Sequence, residues 1–419
     1  MDMLTTKAKL APVRGRELIE GGRRFARRPG LFARMAAPGF AKVLDRIDHA
    51  LESGALHAVL PNGERRTLGG RAPGFECEVR LHSWNALIRL ASNGSIGWYQ
   101  GWAAGEWESP DPVPLFALFM QHASRLGNTA RAKGAFRHAL KLAHLVNRNT
   151  HAGARENIEA HYDIGNDFYA AWLDPTMSYS SGLDWDGDLQ ASQKRKWTAL
   201  ADRIAGAEAV LEIGCGWGAL AGHLETLGHR MTAISLSTEQ LRYAGQHNPG
   251  PDYRLQDYRD VRGQWDAIVS VEMVEALGRE YWPCFMESVA RNLKPGGRAA
   301  IQYISIRDDL FADYAASADF IQAYVFPGGL LIRTSEFRQL AQTHGLAWRN
   351  QVDFGQDYAE TLKRWRERFD EAVRDHSLPD GFDKQFIDLW RYYLMYCEGG
   401  FRGGGIDVHQ VTLVKEELG

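Results

Sequence analysis

The sequence predicts an α/β fold, in which an open, mostly parallel sheet carries helices on both faces and a smaller α+β unit precedes it. Two observations predict this fold. From residue 209 onward, short apolar runs alternate with helical segments, which is the pattern of a parallel sheet. Directly after the first run comes the glycine-rich turn Gly214-Cys215-Gly216-Trp217-Gly218. Because ligands bind at the carboxyl ends of such strands, this turn marks the expected binding site.

The length of 419 residues suggests two or three domains. We expect an N-terminal unit over residues 1–125, a basic linker helix over 126–155 and the main domain over 156–419. The chain is 45% hydrophobic and 24% charged, which is typical of a globular protein and excludes a largely disordered one. The four cysteines show no CxxC spacing, so we expect no metal site and no disulfide scaffold.

The N-terminal unit contains two segments with the character of strands. Residues 55–60 form an apolar run that ends at the turn-forming residues 61–64, and residues 76–81 alternate in strand fashion. Trp98, Trp102 and Trp107 follow in a glycine-rich stretch, where we expect them to be packing residues.

The main sheet is predicted element by element from the alternation of strand and helix patterns. The first strand covers residues 209–213, and the helix 219–227 follows its glycine turn. The second strand covers 231–236, and its helix 237–246. The expected later strands are residues 253–255, 267–271 and 298–306.

Basic residues are concentrated in two stretches, although the whole chain has a formal charge of -3. The first 46 residues hold eleven Lys and Arg against four Asp and Glu, and residues 125–155 hold seven Lys and Arg and no acid. A helix with one basic face suits an anionic bilayer, and a solvated linker helix is the alternative. Interleaved aromatic residues are few, so we expect no nucleic-acid partner.

The chain has no apolar run of the roughly 18 residues that a membrane-spanning helix needs. Residues 1–10 lack the apolar stretch of a signal peptide. We therefore expect a cytoplasmic protein that is peripheral at the inner face of the membrane.

The glycine turn resembles one nucleotide-binding pattern more than others. Glu212 lies two residues before the first glycine of the turn, no GxGxxG fingerprint is present, and no P-loop occurs. The pattern E/DxGxGxG after a first strand is typical of S-adenosylmethionine methyltransferases, whose cofactor is cationic and carries no phosphate. A dinucleotide-binding enzyme is the alternative that this segment leaves open.

Several further segments make the chain resemble the cyclopropane-fatty-acid synthase family, which uses S-adenosylmethionine to modify double bonds in lipid acyl chains. The match is specific from about residue 150 to the end and fainter in residues 101–107. The segments are residues 157–169, 173–180, 210–218, 235–240, 256–259, 324–329, 353–358 and 392–411.

The resemblance implies roles for individual residues. Glu275 matches an acidic residue beside the reacting centre, and Tyr358 matches an active-site tyrosine. In the family, the alkene attacks the sulfonium methyl group and a base, commonly bicarbonate, removes a proton from the resulting cation. The expected contacts of S-adenosylmethionine are Tyr179, Ser180, Glu212, Gly214, Cys215, Gly216, Gly218, Ser235, Gln240 and Asp257.

Three departures from the family pattern concern the base. Ser181 replaces a cysteine, Glu272 a glycine, and Gln302 a histidine that contacts bicarbonate. Glu272 could act as the base or stabilise the cation, and a contact to the cofactor or to a neighbouring group is the alternative. The sequence therefore does not decide whether bicarbonate is a cofactor. The expected product is a cyclopropane or a methyl-branched unsaturated chain.

The aromatic residues Phe311, Tyr314, Phe320, Tyr324 and Phe326 are expected to line the acyl cavity or to form an ordinary core helix. The predicted substrate is the unsaturated acyl chain of a phospholipid. A soluble small-molecule methyltransferase and a non-catalytic lipid or cofactor carrier are the alternatives. We also consider a homodimer, and a partner oxidoreductase that would reduce a methylene product.

Overall fold

The computed structural model describes residues 14–23, 37–127 and 164–416. Residues 128–163 contain most of the predicted basic linker and the first part of the segment 157–169, so those two predictions lie outside the described residues. Part of the first basic stretch, including residues 24–36, also lies outside them.

The N-terminal part contains a small mixed sheet with strand order β2-β1-β3-β4, in which β1 pairs antiparallel with β2 and parallel with β3. Both strands predicted for this part are present. The elements are α1 (Arg16–Arg23), α2 (Ala37–Ala50), β1 (Ala55–Val59), β2 (Arg65–Gly69), β3 (Glu76–Leu81), α3 (Asn85–Ala103), β4 (Trp107–Glu108), α4 (Val113–Gln121) and α5 (Ala123–Leu126).

The main sheet has seven strands among the described residues, in the order β10-β11-β9-β8-β5-β6-β7. The strands β9, β8, β5, β6 and β7 are parallel, and β11 is antiparallel to both of its neighbours. The predicted open, mostly parallel sheet is therefore confirmed. The strands are β5 (Ala209–Ile213), β6 (Arg230–Ser235), β7 (Asp252–Leu255), β8 (Trp265–Val271), β9 (Leu293–Ile306), β10 (Leu346–Asp353) and β11 (Ile406–Lys415).

Helices cover this sheet, and side chains set where several of them begin. Asp188 accepts a hydrogen bond from the N–H of Ala191 and Ser237 one from that of Gln240, which satisfies donors of the first turn. The helices are α6 (Asn166–Ala170), α7 (Leu189–Arg203), α8 (Ala219–Thr226), α9 (Thr238–His247), α10 (Trp282–Asn292), α11 (Asp308–Tyr314), α12 (Phe320–Tyr324), α13 (Thr334–Thr343), α14 (Gly355–Arg374) and α15 (Lys384–Arg402).

One hydrophobic core extends from the N-terminal part into the main part. Tyr99 of α3 lies 4.9 Å from Tyr392 of α15 and 4.8 Å from Phe320 of α12, measured between ring centroids. Trp98 and Trp107 stack on each other at 4.2 Å, as expected of packing residues. The two parts are thus joined by buried aromatic contacts.

Helices α4 and α15 approach each other closely at two glycines of the segment 399–403. A Cβ atom on Gly403 would lie 2.5 Å from the carbonyl oxygen of Ala117, and one on Gly399 would overlap the Cβ of Phe116. A side chain at either position would push the helices apart, because packed interiors leave no room for it. We call these two residues the glycine seam.

Arg14 belongs to the first basic stretch, and its side chain contacts residues of the main part. Its guanidinium donates to the carbonyl oxygen of Ile164 at 3.0 Å and to the carboxylate of Asp167 at 2.9 Å, and it lies over the ring of Phe382. Arg14 is therefore committed to an internal contact rather than to a bilayer. In the part of the chain that the structure describes, no helix is long and apolar enough to cross a membrane.

Candidate active site

A cavity opens at the carboxyl ends of the central parallel strands. Its wall includes Ile213 at the end of β5, Ser235 at the end of β6 and Asp257 just after β7. Glu272, the first residue after β8, completes this edge. The cavity lies at the edge of the sheet where the strand pattern predicts ligand binding.

The turn after β5 depends on glycine. Gly214, Gly216 and Gly218 have φ angles of 84°, 52° and 82°, a region that other L-residues rarely adopt. Gly214 and Gly216 lie on the cavity wall. Gly218 does not, although it was predicted to contact the cofactor. It precedes α8, and a Cβ there would meet the hydroxyl of Tyr253 at 2.6 Å.

The other predicted cofactor contacts share the wall of this cavity. Ser235 donates to Gln240 at 3.3 Å, and Asp257 is held by the guanidinium of Arg259 at 2.6 Å. The predicted residues found on the wall are Tyr179, Ser180, Glu212, Gly214, Cys215, Gly216, Ser235, Gln240 and Asp257.

A buried lysine faces this wall, and the sequence analysis missed it. Lys196 of α7 donates to the hydroxyl of Ser180 and to the side-chain oxygen of Gln193, and it lies near Glu212. Burial lowers the pKa of Lys196 to about 8 and raises that of Glu212 to about 8, because each group loses hydration of its charged form. Within the described residues, the Oε2 atom of Glu212 is buried without a hydrogen-bond partner.

Glu272 is a second glutamate on the cavity wall, and three donors hold its carboxylate. Its Oε1 atom accepts from the backbone N–H of Ser181 at 2.9 Å and from the amide of Gln302 at 2.8 Å. Its Oε2 atom accepts from the hydroxyl of Tyr358 at 2.7 Å. Burial raises the pKa of Glu272, while these donors and the charge of Lys196 oppose the rise.

The fold brings these four residues together from distant parts of the chain. Ser181 lies before α7, Glu272 follows β8, Gln302 is on β9 and Tyr358 is in the first turn of α14. All four were predicted as catalytic candidates, and the structure places three of them around the fourth.

The backbone of Glu272 is strained. Its φ angle is 49°, which costs a residue with a Cβ atom about 1–2 kcal/mol. The resemblance aligns this position with a glycine, the residue that adopts such a φ angle most easily. The carboxylate therefore occupies this position despite the backbone cost, held by its three donors and by the backbone bond to Gln302.

Glu275 lies beside the wall rather than on it, in the short turn Val274–Ala276, and was expected beside the reacting centre. The backbone N–H of Ile304 donates to its Oε1 atom, and its Oε2 atom is buried without a partner among the described residues. Burial, and then the nearby charge of Glu272, raise the pKa of Glu275 to about 8. Glu275 is therefore largely protonated at neutral pH.

Of the two interpretations of the five aromatic residues, core packing holds for Phe311, Phe320 and Tyr324, and cavity lining for Phe326. Phe326 lies on the wall, but Phe320 and Tyr324 pack against Tyr99 of the N-terminal part. Phe311 packs against Trp282 in a separate core. The segment 311–326 also forms two short helices, α11 and α12, rather than one.

The strand order, the glycine turn and the cavity at the strand ends define a class I S-adenosylmethionine-dependent methyltransferase. Two solved structures share this fold. They are the cyclopropane synthase MmaA2 of Mycobacterium tuberculosis and the mycolic acid cyclopropane synthase CmaA1 in complex with SAH and CTAB. Each aligns with a TM-score of 0.57 and 25% identity over 62% of this chain and 98% of its own.

The chain belongs to the mycolic acid cyclopropane synthetase family, whose model matches residues 149–411. The tuberculostearic acid methyltransferase UfaA1 of M. tuberculosis is 36% identical over 80% of this chain and 83% of its own length. The cyclopropane-fatty-acyl-phospholipid synthase of Escherichia coli K12 is 32% identical over 82% and 89%. The protein is a methyltransferase of the cyclopropane-fatty-acid synthase type, with S-adenosylmethionine as its methyl donor.

The residues of the cavity fit this donor. The glycine turn lets a ligand approach the backbone closely, and the unpartnered oxygen of Glu212 offers an acceptor to a cationic nucleoside. The wall carries the carboxyl groups of Glu212, Asp257 and Glu272 beside two basic side chains, Lys196 and Arg259.

Proposed function

We propose that this enzyme transfers a one-carbon unit from S-adenosylmethionine to the double bond of an unsaturated phospholipid acyl chain, with Glu272 as the proton acceptor. The observation that carries the proposal is the carboxylate of Glu272 on the cavity wall, held by Ser181, Gln302 and Tyr358. The names of the two curated relatives, a tuberculostearic acid methyltransferase and a cyclopropane-fatty-acyl-phospholipid synthase, support the lipid substrate.

When bound, S-adenosylmethionine supplies an electrophilic methyl group to one alkene carbon, which leaves a carbocation on the acyl chain. The carboxylate of Glu272 stabilises that positive charge from a fixed position. It then accepts a proton either from the new methyl group or from a chain carbon next to the cation. If the proton leaves the new methyl group, the C–H electron pair closes a cyclopropane ring. If it leaves a chain carbon, the pair forms a new double bond beside a methyl branch.

The same contacts do not fit a separate bicarbonate ion. The donors that could hold such an anion, Gln302 and Tyr358, are committed to the carboxylate of Glu272. A second anion would also lie against Glu272 itself, and like charges at such short distances repel strongly. We therefore assign no step to bicarbonate and expect activity to persist when it is removed.

The experiment that tests this proposal compares the wild-type protein with Glu272→Gln on vesicles of unsaturated phospholipid and methyl-labelled S-adenosylmethionine. We expect the variant to lose labelled product by about 100-fold or more, the usual contribution of a positioned base. Mass spectrometry detects the added CH2, and fragmentation distinguishes a ring from a methyl branch.

Glu208→Gln is the matched control, because Glu208 is exposed and lies outside the cavity. Assays in bicarbonate-free buffer test the expectation that activity persists without bicarbonate. An unchanged rate and product in Glu272→Gln would rule out its role as proton acceptor. No labelled lipid from the wild-type protein would favour a soluble acceptor.

We also propose that the N-terminal unit, residues 1–125, docks the enzyme on the inner, anionic face of a membrane. A groove between α2 and α5 is lined by Lys42, Arg46, His49 and Arg125, together with Asp45 and Ala50. Lys42 and Arg46 are exposed and one helical turn apart, so both can reach anionic headgroups.

Sedimentation with anionic vesicles tests the docking. The double variant Lys42→Glu/Arg46→Glu should bind more weakly, and salt should weaken wild-type binding. Arg254→Glu, on the edge strand β7 of the main sheet, is the control. Equal binding by both variants would contradict this docking surface. The homodimer and the partner oxidoreductase stay predictions.

A further inference from the structure

A chain of side-chain hydrogen bonds runs from Arg203, at the end of α7, to Glu272. The guanidinium Nε–H of Arg203 donates to the Oε1 atom of Gln410 at 3.3 Å. The amide of Gln410 donates to the Oε1 atom of Gln302 at 3.0 Å, and the amide of Gln302 donates to Glu272 at 2.8 Å. The chain thus links four residues on α7, β11, β9 and the loop after β8.

Arginine gives this chain a direction. A guanidinium can only donate, so Gln410 must turn its oxygen towards Arg203 and its NH2 group towards Gln302. Gln302 must then turn its own oxygen towards Gln410 and its NH2 group towards Glu272. Both glutamines are only 1% exposed, so water cannot satisfy an amide that turns the other way.

Other contacts hold Arg203 in place. Its Nη1 atom donates to the carbonyl oxygen of Asn350 at 2.8 Å and to the hydroxyl of Thr412 at 3.0 Å. Gln410 and Gln302 lie opposite each other in the antiparallel register of β11 and β9, which keeps their amides within reach.

We propose that Arg203 and Gln410 are positioning residues that force Gln302 to donate to Glu272, which keeps the carboxylate of Glu272 able to accept a proton. This inference rests on the proposed role of Glu272 as the proton acceptor. Without the chain, Gln302 can present its oxygen instead. An oxygen beside Glu272 favours the protonated carboxyl group, which can donate to it but cannot act as a base.

The charged and titratable groups that face Glu272 come from three elements. Lys196 of α7 favours its ionised form, and Glu275 lies on its own loop, where the charge of Glu272 raises the pKa of Glu275. Tyr358 of α14 donates to it. None of these groups has a hydrogen bond to Arg203 or Gln410 in the described residues, so a change in the titration of Glu272 in their variants reports on the hydrogen-bond chain.

The test measures the pH dependence of labelled transfer to acyl chains in Arg203→Met and Gln410→Met. We expect the acid limb of kcat/KM to move to higher pH by about one unit in both variants. Gln410→Met changes no charge. A shift of the acid limb in this variant therefore results from the lost hydrogen-bond direction and not from the lost charge of Arg203. Arg203→Lys, which still donates, should restore the wild-type profile.

Thr412→Val is the control, because it removes a contact of Arg203 that lies outside the chain. S-adenosylmethionine binding and thermal unfolding establish that each variant is folded. An unshifted acid limb in Gln410→Met, in a protein that is active, overturns the inference but leaves the proposed function intact. A wild-type protein that transfers no label overturns the proposed function instead.

Infrared difference spectra supply a readout that does not need activity. The carboxyl band lost in Glu272→Gln reports the protonation of Glu272 directly. The band of the protonated form should persist to higher pH in Gln410→Met than in the wild-type protein. Identical titrations would overturn the inference whether or not the enzyme transfers label.

Discussion

Replacing Glu275 by glutamine removes a carboxyl group that the fold buries beside Glu272. The folded state keeps this group protonated up to about pH 8, against an ordinary pKa of 4.5. The unfolded chain releases the proton near pH 4.5, so the free energy of unfolding should fall as the pH rises from about 4.5 to 8. Glutamine does not titrate, and the variant should lose this dependence.

The size of the effect follows from the two pKa values. Each unit of difference corresponds to about 1.4 kcal/mol, and the difference is fully expressed only above the folded pKa. Between pH 5 and pH 8, the wild-type protein should therefore lose about 3 kcal/mol more stability than Glu275→Gln. A constant cost of burying the new amide cancels in this comparison.

Urea unfolding at pH 5, 6, 7 and 8 measures the difference. The free energy of unfolding of Glu275→Gln, relative to that of the wild-type protein, should rise steadily from pH 5 to pH 8, whether it is higher or lower at pH 5. Glu208→Gln, at an exposed position, should show no such trend. A constant difference for Glu275→Gln would mean that Glu275 titrates normally in the folded protein, and the reasoning from its burial would be refuted.

Three other substitutions test the site. Tyr358→Phe removes the donor to the Oε2 atom of Glu272, so the pKa of Glu272 should rise and the acid limb of the pH–rate profile should move up; an unmoved limb would contradict this. Gly214→Ala forces a φ angle of 84° on a residue with a Cβ atom, at about 1–2 kcal/mol, and calorimetry should show weaker S-adenosylmethionine binding. Lys196→Met removes the positive charge that lowers the pKa of Glu272, so the pKa of Glu272 should rise and the acid limb of the pH–rate profile should move up, which an unmoved limb would disprove.

The sequence predicts the five parallel strands β5 to β9, because most of them are largely apolar runs before a turn, but it misses β10 and β11. Among the predicted strands, the main difference is the start of β9. Its first residues, 293–297, include Pro295, Gly296 and Gly297, which are typical of a turn, so the strand was predicted from 298. Pairing with β8 shifts register between Trp265 and Ala267, which accommodates the extra residues. Tertiary pairing overrides the local signal here.

The residues of the candidate site, like the strands, were predicted from the sequence only in part. Glu272, Gln302 and Tyr358 lie in recognisable motifs, and the structure brings them into contact. Lys196 and Gln410 lie in no motif that was assigned a role, and only the packing of α7 and the register of β11 against β9 place them near Glu272. Similarly, the aromatic spacing of the segment 311–326 does not reveal which partner each ring contacts.

The glycine seam between α4 and α15 has a consequence for how the protein unfolds. Separating the two helices would expose the side chains of Phe116 and Ala117, which are buried in the folded protein. Because the aromatic core continues across the same boundary, neither part can lose its structure without uncovering buried surface of the other. The N-terminal part and the methyltransferase part should therefore melt together, as one cooperative unit.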